Sequence, residues 1–194
     1  LTTYESDDQI LAAIEAGALR IRPEPASLAD LMNRIDLRWQ PEFAARGLTL
    51  GLVLEPTLPD WVLVDRMRLT QCVSNLIDNA LRMTVQGGVT LTLSSHPKGL
   101  MAEVTDTGPG LPKGAEHRLF RPFDSLDPEG RSGTGLGLSI CRGLALAMGG
   151  DLTYSPAETG GCRFCLTLSA PATTPSPDPV TAAPDAALLA LHPQ

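Results

Sequence analysis

Asn75-Leu76-Ile77-Asp78-Asn79-Ala80 is the stretch on which the reading of this chain turns. At ~100° per residue, Gln71, Asn75, Asp78, Asn79 and Arg82 line up as one polar stripe of a helix. Leu69, Val73, Leu76, Ile77 and Ala80 take the opposite side. A polar stripe on an amphipathic helix is ordinarily a solvated face. Two Asn at i, i+4 are a poor choice for that purpose alone, because Asn is a weak helix former. Their amide oxygens suit a hard cation or its bound water, and Mg²⁺ takes a few protein oxygens together with water and phosphates. Arg82, one turn on, suits a phosphate oxygen.

Three further motifs follow in order. Val104-Thr105-Asp106 runs into Gly108 and Gly110. A carboxylate at a strand end, followed by spaced glycines, lets backbone approach a ligand with no side chain in the way. Asp106 there suits an exocyclic amine such as that of adenine; an ordinary strand-to-loop turn uses the same residues. Gly133, Gly135 and Gly137 open a helix whose free N–H groups and dipole favour phosphate. Their spacing fits neither a dinucleotide-binding fingerprint nor a Walker loop. Between these motifs, residues 110–132 show little periodicity, and a loop that long inside a domain is functional or mobile. It carries Phe120, Arg121, Phe123 and Arg131, which suits a lid over a ligand. Phe120 suits equally an anchor to the core.

The remaining pattern predicts the fold. Ser27 reads as an N-cap with Asp30 in the first turn, and Leu28, Leu31, Ile35, Trp39 and Phe43 keep a helical period up to Gly47. Further helices are expected at 5–18, 66–84 and 134–148, the last stopped by Gly149-Gly150. Strands are expected at 48–54, 61–65, 88–95, 100–106, 151–155 and 162–169, with a turn at Lys98-Gly99. Leu19-Arg20-Ile21-Arg22-Pro23 alternates and predicts a short edge strand. This order predicts an α/β (α+β) two-layer sandwich, a mixed sheet packed on one face by three helices.

Composition narrows the function. The 194 residues suffice for one core plus a tail, and no run reaches the roughly 20 apolar residues of a membrane span. A net charge of −7 without any Lys/Arg cluster speaks against nucleic acid. Leu1-Thr2-Thr3-Tyr4, without Met, reads as the start of a piece of something longer. Cys162 and Cys165 have C-x-x-C spacing, but three residues apart on a strand puts them on opposite faces. The four Cys read as reduced thiols, which predicts a cytoplasmic location. Residues 170–194 hold 6 of the 17 prolines and no aromatic residue, and read as a flexible linker.

Together the four motifs resemble the catalytic and ATP-binding domain of bacterial sensor histidine kinases, of the superfamily shared with DNA gyrase. Leu69 through Thr84 resembles the family's N box and Asp106-Thr107-Gly108-Pro109-Gly110 its first glycine box. Phe120 and Phe123 resemble its F box, Gly133 through Leu138 its second glycine box, and Gly160-Gly161-Cys162-Arg163-Phe164 a third. The resemblance implies a Bergerat fold with a mobile ATP lid. It implies Mg²⁺ on Asn79 with Asn75 beside it, Arg82 on phosphate and Asp106 on the adenine amine. Gly108 and Gly110 would line the pocket, Phe123 and Arg131 would belong to the lid, and Gly133, Thr134, Gly135, Leu136, Gly137 and Leu138 would wrap the phosphates. Met83, Thr159 and Cys162 depart from common family residues.

The resemblance further implies a division into the end of a dimerisation helix at 1–22, the ATP-binding domain at 23–169 and the linker at 170–194. The phosphoacceptor His would lie upstream, since His96, His117 and His192 have the wrong surroundings. Its partners would be ATP, the dimerisation and phosphoacceptor domain of the same protein in a homodimer, and a response regulator or receiver domain. A rival reading is a degenerate, non-catalytic module of the same superfamily, a scaffold or phosphotransfer partner, against which the intact Asn79, Asp106 and glycine runs argue. A second rival is an ATPase of the same superfamily with Gln71, Asp78 or Glu103 activating water, over which the dimerisation-helix resemblance at 8–22 favours the kinase.

Overall fold

The computed structural model describes residues 6–124, 135–158 and 160–175. In chain order the elements are α1 (Asp7–Glu15), β1 (Glu24–Ser27), α2 (Leu28–Ala45), β2 (Thr49–Leu54), β3 (Trp61–Val64), α3 (Arg66–Met83), β4 (Gly88–His96), β5 (Gly99–Asp106), α4 (Gly137–Ala147), β6 (Asp151–Pro156) and β7 (Cys162–Ser169). A single turn of 3₁₀ helix lies at Glu116–Arg118. The main sheet has five strands in the order β2-β4-β5-β7-β6. β2 and β4 are parallel and the other neighbours antiparallel, so the sheet is mixed, as expected.

Strand alternation decides which face the helices cover. Leu100, Ala102, Val104 and Asp106 of β5 point to one side with Phe164, Leu166 and Leu168 of β7, and all are buried. Glu103 and Arg163 point to the other side and pair there, Nε to Oε2 at 2.8 Å. The covering layer comes from α2, α3 and α4. Leu28, Leu31, Ile35, Trp39 and Phe43 of α2 are all buried, and Ser27 caps that helix by accepting from the Asp30 N–H at 3.2 Å. The apolar stripe of α3, Leu69, Val73, Leu76, Ile77 and Ala80, is buried as a unit. Asp65 caps α3, its Oδ1 accepting from Arg68 N at 3.1 Å. α1 packs on α4 outside this layer.

Three expectations need correction. Leu19–Pro23 forms no strand; the strand is Glu24–Ser27, antiparallel to β3. Pro23 has no N–H to give to a ladder, and the Arg22 N–H goes to Asp65 Oδ2 at 2.9 Å, while Leu19 and Ile21 lean on the core. The last helix begins at Gly137, not 134, because Gly135 has φ +70, which a right-handed helix cannot use. Ordered structure also continues beyond Ser169. Leu63 N donates to Pro171 O at 2.9 Å and Thr173 N to Trp61 O at 3.0 Å, Ala172 bridges to Val62, and Ala170 is buried. Residues 171–173 thus cover the edge of β3 that β1 leaves open. Residues 176–194, including His192, lie outside the described residues.

A chain ending at Ser169 loses both of those backbone bonds. It is expected to be less stable than one ending at Pro175 by about 1–3 kcal/mol, read as a lower urea midpoint.

Candidate functional site

Asp106 ends β5 on the buried face of the sheet and is 3% exposed. Its Oδ1 accepts from Gly108 N at 2.8 Å and from Cys162 N at 3.1 Å. Burial pushes its carboxyl above the ordinary range, and the two backbone donors pull the other way without cancelling that. The surrounding backbone comes too close for side chains. A Cβ on Gly161 would run into the Asp106 carbonyl and come within 2.5 Å of its Oδ1. One on Gly108 would stand 3.0 Å from Asp106 Oδ1 and 3.1 Å from Met83 O, and Gly110, at φ +70, would place one 2.7 Å from Gly160 O. The end of α3, the 108–110 turn and the β6–β7 hairpin therefore close around one carboxylate. Thr107 fixes the rim, its Oγ1 donating to Gln86 O at 2.8 Å and accepting from Gly88 N at 3.0 Å.

Cys162 belongs to this floor and not to a dithiol site. Burial, followed by the Asp106 charge, pushes its thiol up to about 12, so it stays protonated near neutral pH. Cys165 lies on the other face of the sheet, its Sγ 3.6 Å from Glu103 Oε2. Among the described residues no group of three or more His, Cys, Asp or Glu is placed to hold a metal.

The polar stripe of α3 divides into tasks. Asn75 Nδ2 donates to Gly137 O at 3.1 Å and reaches Cys141 Sγ at 3.5 Å, so it fastens α3 to the first turn of α4. Gly137 has to be glycine for this approach, since a Cβ would stand 2.9 Å from Asn75 Oδ1. Asn79, half-buried one turn later, makes no side-chain hydrogen bond among the described residues. Arg82 pairs with Asp78. Both are about a third exposed, and such an i,i+4 pair is worth at most about 1 kcal/mol, so Arg82 can be drawn to another anion at little cost. Gln71 Oε1 accepts from Arg68 Nη1 at 3.3 Å. Of the three residues considered for activating water, Glu103 faces away from Asp106 and pairs with Arg163, and Asp78 and Gln71 accept from arginines.

At the start of α4, Leu136 is the N-cap and no side chain caps the helix, leaving first-turn N–H groups of the kind that favour anions. Gly135 abuts the Phe123-Asp124 backbone; a Cβ on it would lie 3.0 Å from Phe123 C. Leu138 packs half-buried against the core. The segment expected as an irregular loop from 110 to 132 is docked as far as Asp124. Ala115 and Leu119 are buried, Arg118 Nε meets Asp124 Oδ2 at 3.0 Å, and Phe120 packs on the core with the Arg142 guanidinium 4.9 Å above its ring. Phe120 is thus an anchor, whereas Phe123 is 70% exposed at φ +62. Arg131, Gly133 and Thr134 lie outside the described residues.

Comparison with known proteins agrees with this layout. The family described as histidine kinase-, DNA gyrase B- and HSP90-like ATPase matches residues 64–172. Sensor histidine kinase RcsC of Escherichia coli (strain K12) is 35% identical over 162 residues, 82% of this chain and 17% of its own length. The sensory/regulatory protein RpfC of Xanthomonas campestris pv. campestris is 33% identical over 163 residues, 79% of this chain and 22% of its own. The chain therefore spans about a fifth of the length of these curated relatives. Among solved structures, full-length ShkA in complex with AMPPNP superposes with a TM-score of 0.74 at 30% identity, over 86% of this chain and 35% of that one.

The raised Asp106 carboxyl gives a signed expectation. Above that pKa its ionisation costs folding free energy, and the cost is relieved as pH falls through it. In urea titrations from pH 7 downward, the wild type should therefore gain stability relative to Asp106→Asn. Gly161→Ala should lose about 2–3 kcal/mol at pH 7, since backbone stands in the way of its methyl.

Proposed function

The chain belongs to the family of histidine kinase-, DNA gyrase B- and HSP90-like ATPases, and we propose that it binds Mg-ATP and presents the γ-phosphate to a histidine on a dimerisation helix. It would be the kinase part of a two-component sensor, with a response regulator or receiver domain downstream. The observation that carries this reading is the Asp106 floor: a buried carboxylate, held by two backbone donors and walled by glycines, suits a flat base that offers an amine.

The other roles follow from position. Gly108 and Gly110 would admit the base edge. The first turn of α4, Gly135 to Leu138, would meet the phosphates with backbone N–H groups, joined by Gly133 and Thr134. Arg82 would exchange Asp78 for a phosphate oxygen. Phe123 and Arg131 would form the closing edge. Asn79 offers an untethered amide oxygen, which fits a Mg²⁺ shared with phosphates, and Asn75 beside it holds α4 in place. Bound Mg²⁺ would supply charge neutralisation between the phosphates. The chain's own contribution would be placement and exclusion of water, which is most of what phosphoryl transfer asks of a protein.

The acceptor has to come from elsewhere. His96 Nδ1 accepts from the Lys98 N–H at 3.2 Å, and His117 lies in the 3₁₀ turn. In the parent protein, a cytoplasmic homodimer on this reading, residues 1–22 would continue from the dimerisation helix and residues 170–194 would lead onward to a further domain. No helix among the described residues is long and apolar enough to cross a membrane.

Calorimetric titration with Mg-ATP tests the reading. Saturable binding is expected, weakened at least about tenfold in Asp106→Asn, and absence of binding up to millimolar ATP overturns it in favour of a non-catalytic scaffold. Asn79→Ala is expected to abolish the gain in ATP affinity on adding Mg²⁺ while leaving metal-free ADP binding unchanged. A dimerisation domain added in trans should then take radiolabel from γ-labelled ATP.

A further inference from the structure

α1 is nine residues long, short of the roughly 12–15 residues at which an isolated helix holds in water. A capping box between Ser6 and Gln9 starts it, but what it rests on is α4. Ile10 is 1% exposed, and Leu11 and Ile14 pack against the same cluster. The seat is a notch at Gly143: a Cβ there would stand 2.8 Å from both Cδ1 and Cγ2 of Ile14. A Cβ at 143 would push the Ile14 side chain out of this seat, and a large side chain there would lift α1. Beyond α1 the chain turns at Gly17, φ +62. Among the described residues the connector 18–23 makes one hydrogen bond to the body, Arg22 N to Asp65 Oδ2, and Asp65 is the N-cap of α3. The segment thus leans on α4 and on the start of the helix that carries Asn75 and Asn79.

We propose that α1 is a releasable strap: seated on Gly143 it holds α4 against α3, and lifted it loosens the first turns of α4. Its apolar stripe is single, with Asp7, Asp8, Ala12 and Glu15 exposed. Another helix that takes Ile10, Leu11 and Ile14 must therefore lift α1 from α4. Upstream helix packing and the order of the α4 N-terminus become two ends of one equilibrium, reciprocal by linkage. The regulatory meaning rests on the phosphate reading of Gly135 to Leu138 given above; the strap itself does not.

Amide hydrogen exchange on the full chain tests it, with Gly143→Leu filling the notch and Ile14→Asp acting from the α1 side in case the first variant folds poorly. In both, α1 amides should exchange about tenfold faster and those of Ile140–Leu144 at least about threefold faster, with β4 and β5 unchanged. The strap is overturned if α1 in the wild type opens only together with the sheet, or if α1 is released while α4 exchanges as before. A parallel nucleotide titration separates the two ideas: a wild type that binds none sinks the proposed function and leaves the exchange result to judge the strap.

Discussion

A carboxylate taken out of water needs donors, and among the described residues Asp106 receives two from backbone. These donors, Gly108 N and Cys162 N, lie on different segments, one two residues ahead and one 56 residues away. To bring both within reach, the chain after β5 has to turn back at once and the β6–β7 hairpin has to press onto the end of β5. Gly108, Gly110 and Gly161 follow from that: at each, a side chain would strike backbone or the carboxylate itself. The register of β5 against β7, with Val104 opposite Phe164, delivers Cys162 to the right place. An unpartnered charge at this depth would instead neutralise itself by a large shift in pKa.

The second joint is between α3 and α4. Cys72 and Cys141 are fully buried, each thiol lying against the other's carbonyl, at 3.8 and 3.7 Å. Mutual contact and burial hold the Cys72 thiol well above its usual range, and both cysteines serve as small buried packing groups. They allow the helices close enough for Asn75 to reach the Gly137 carbonyl. That hydrogen bond aims the start of α4 toward the same side of the sheet as Asp106.

How much of this was legible depended on whether the cause was local. The α2 period from Leu28 to Phe43 and the alternation of β5 report burial on one face, and both read correctly because burial repeats along the element. The Ser27 cap is local too. Leu19–Pro23 misled because alternation carries no record of Pro23's missing donor or of Asp65 capturing the Arg22 N–H. The Pro-rich composition after Ser169 hid the pairing of residues 171–173 with β3, since an edge strand asks little of side chains. In the site, Asp106 and its glycines stood out by spacing. The amide of Asn75 could not be assigned, because its partner is a carbonyl 62 residues away, and a backbone acceptor leaves no residue signature. Met83 likewise matters through its carbonyl at Gly108, which no side-chain pattern encodes.

The two ends of the candidate site are held with unequal firmness, and this bears on how a transfer reaction would run. Around Asp106, Gly108, Gly110 and Gly161 lie so close to backbone or to the carboxylate itself that there is little room to yield. At the other end the groups are exchangeable: an exposed Arg82–Asp78 pair, an Asn79 amide tied to nothing among the described residues, and Phe123 exposed at a positive φ that costs an L-residue about 1 kcal/mol or more. On the proposed reading, a rigid base end and a compliant phosphate end would divide the labour. Affinity would then be set by pre-organised contacts, while the groups proposed to lie nearest the phosphates could rearrange without disturbing the core. The strap proposed on Gly143 would bear on α4, so its release would tune delivery more than it would disturb the Asp106 floor.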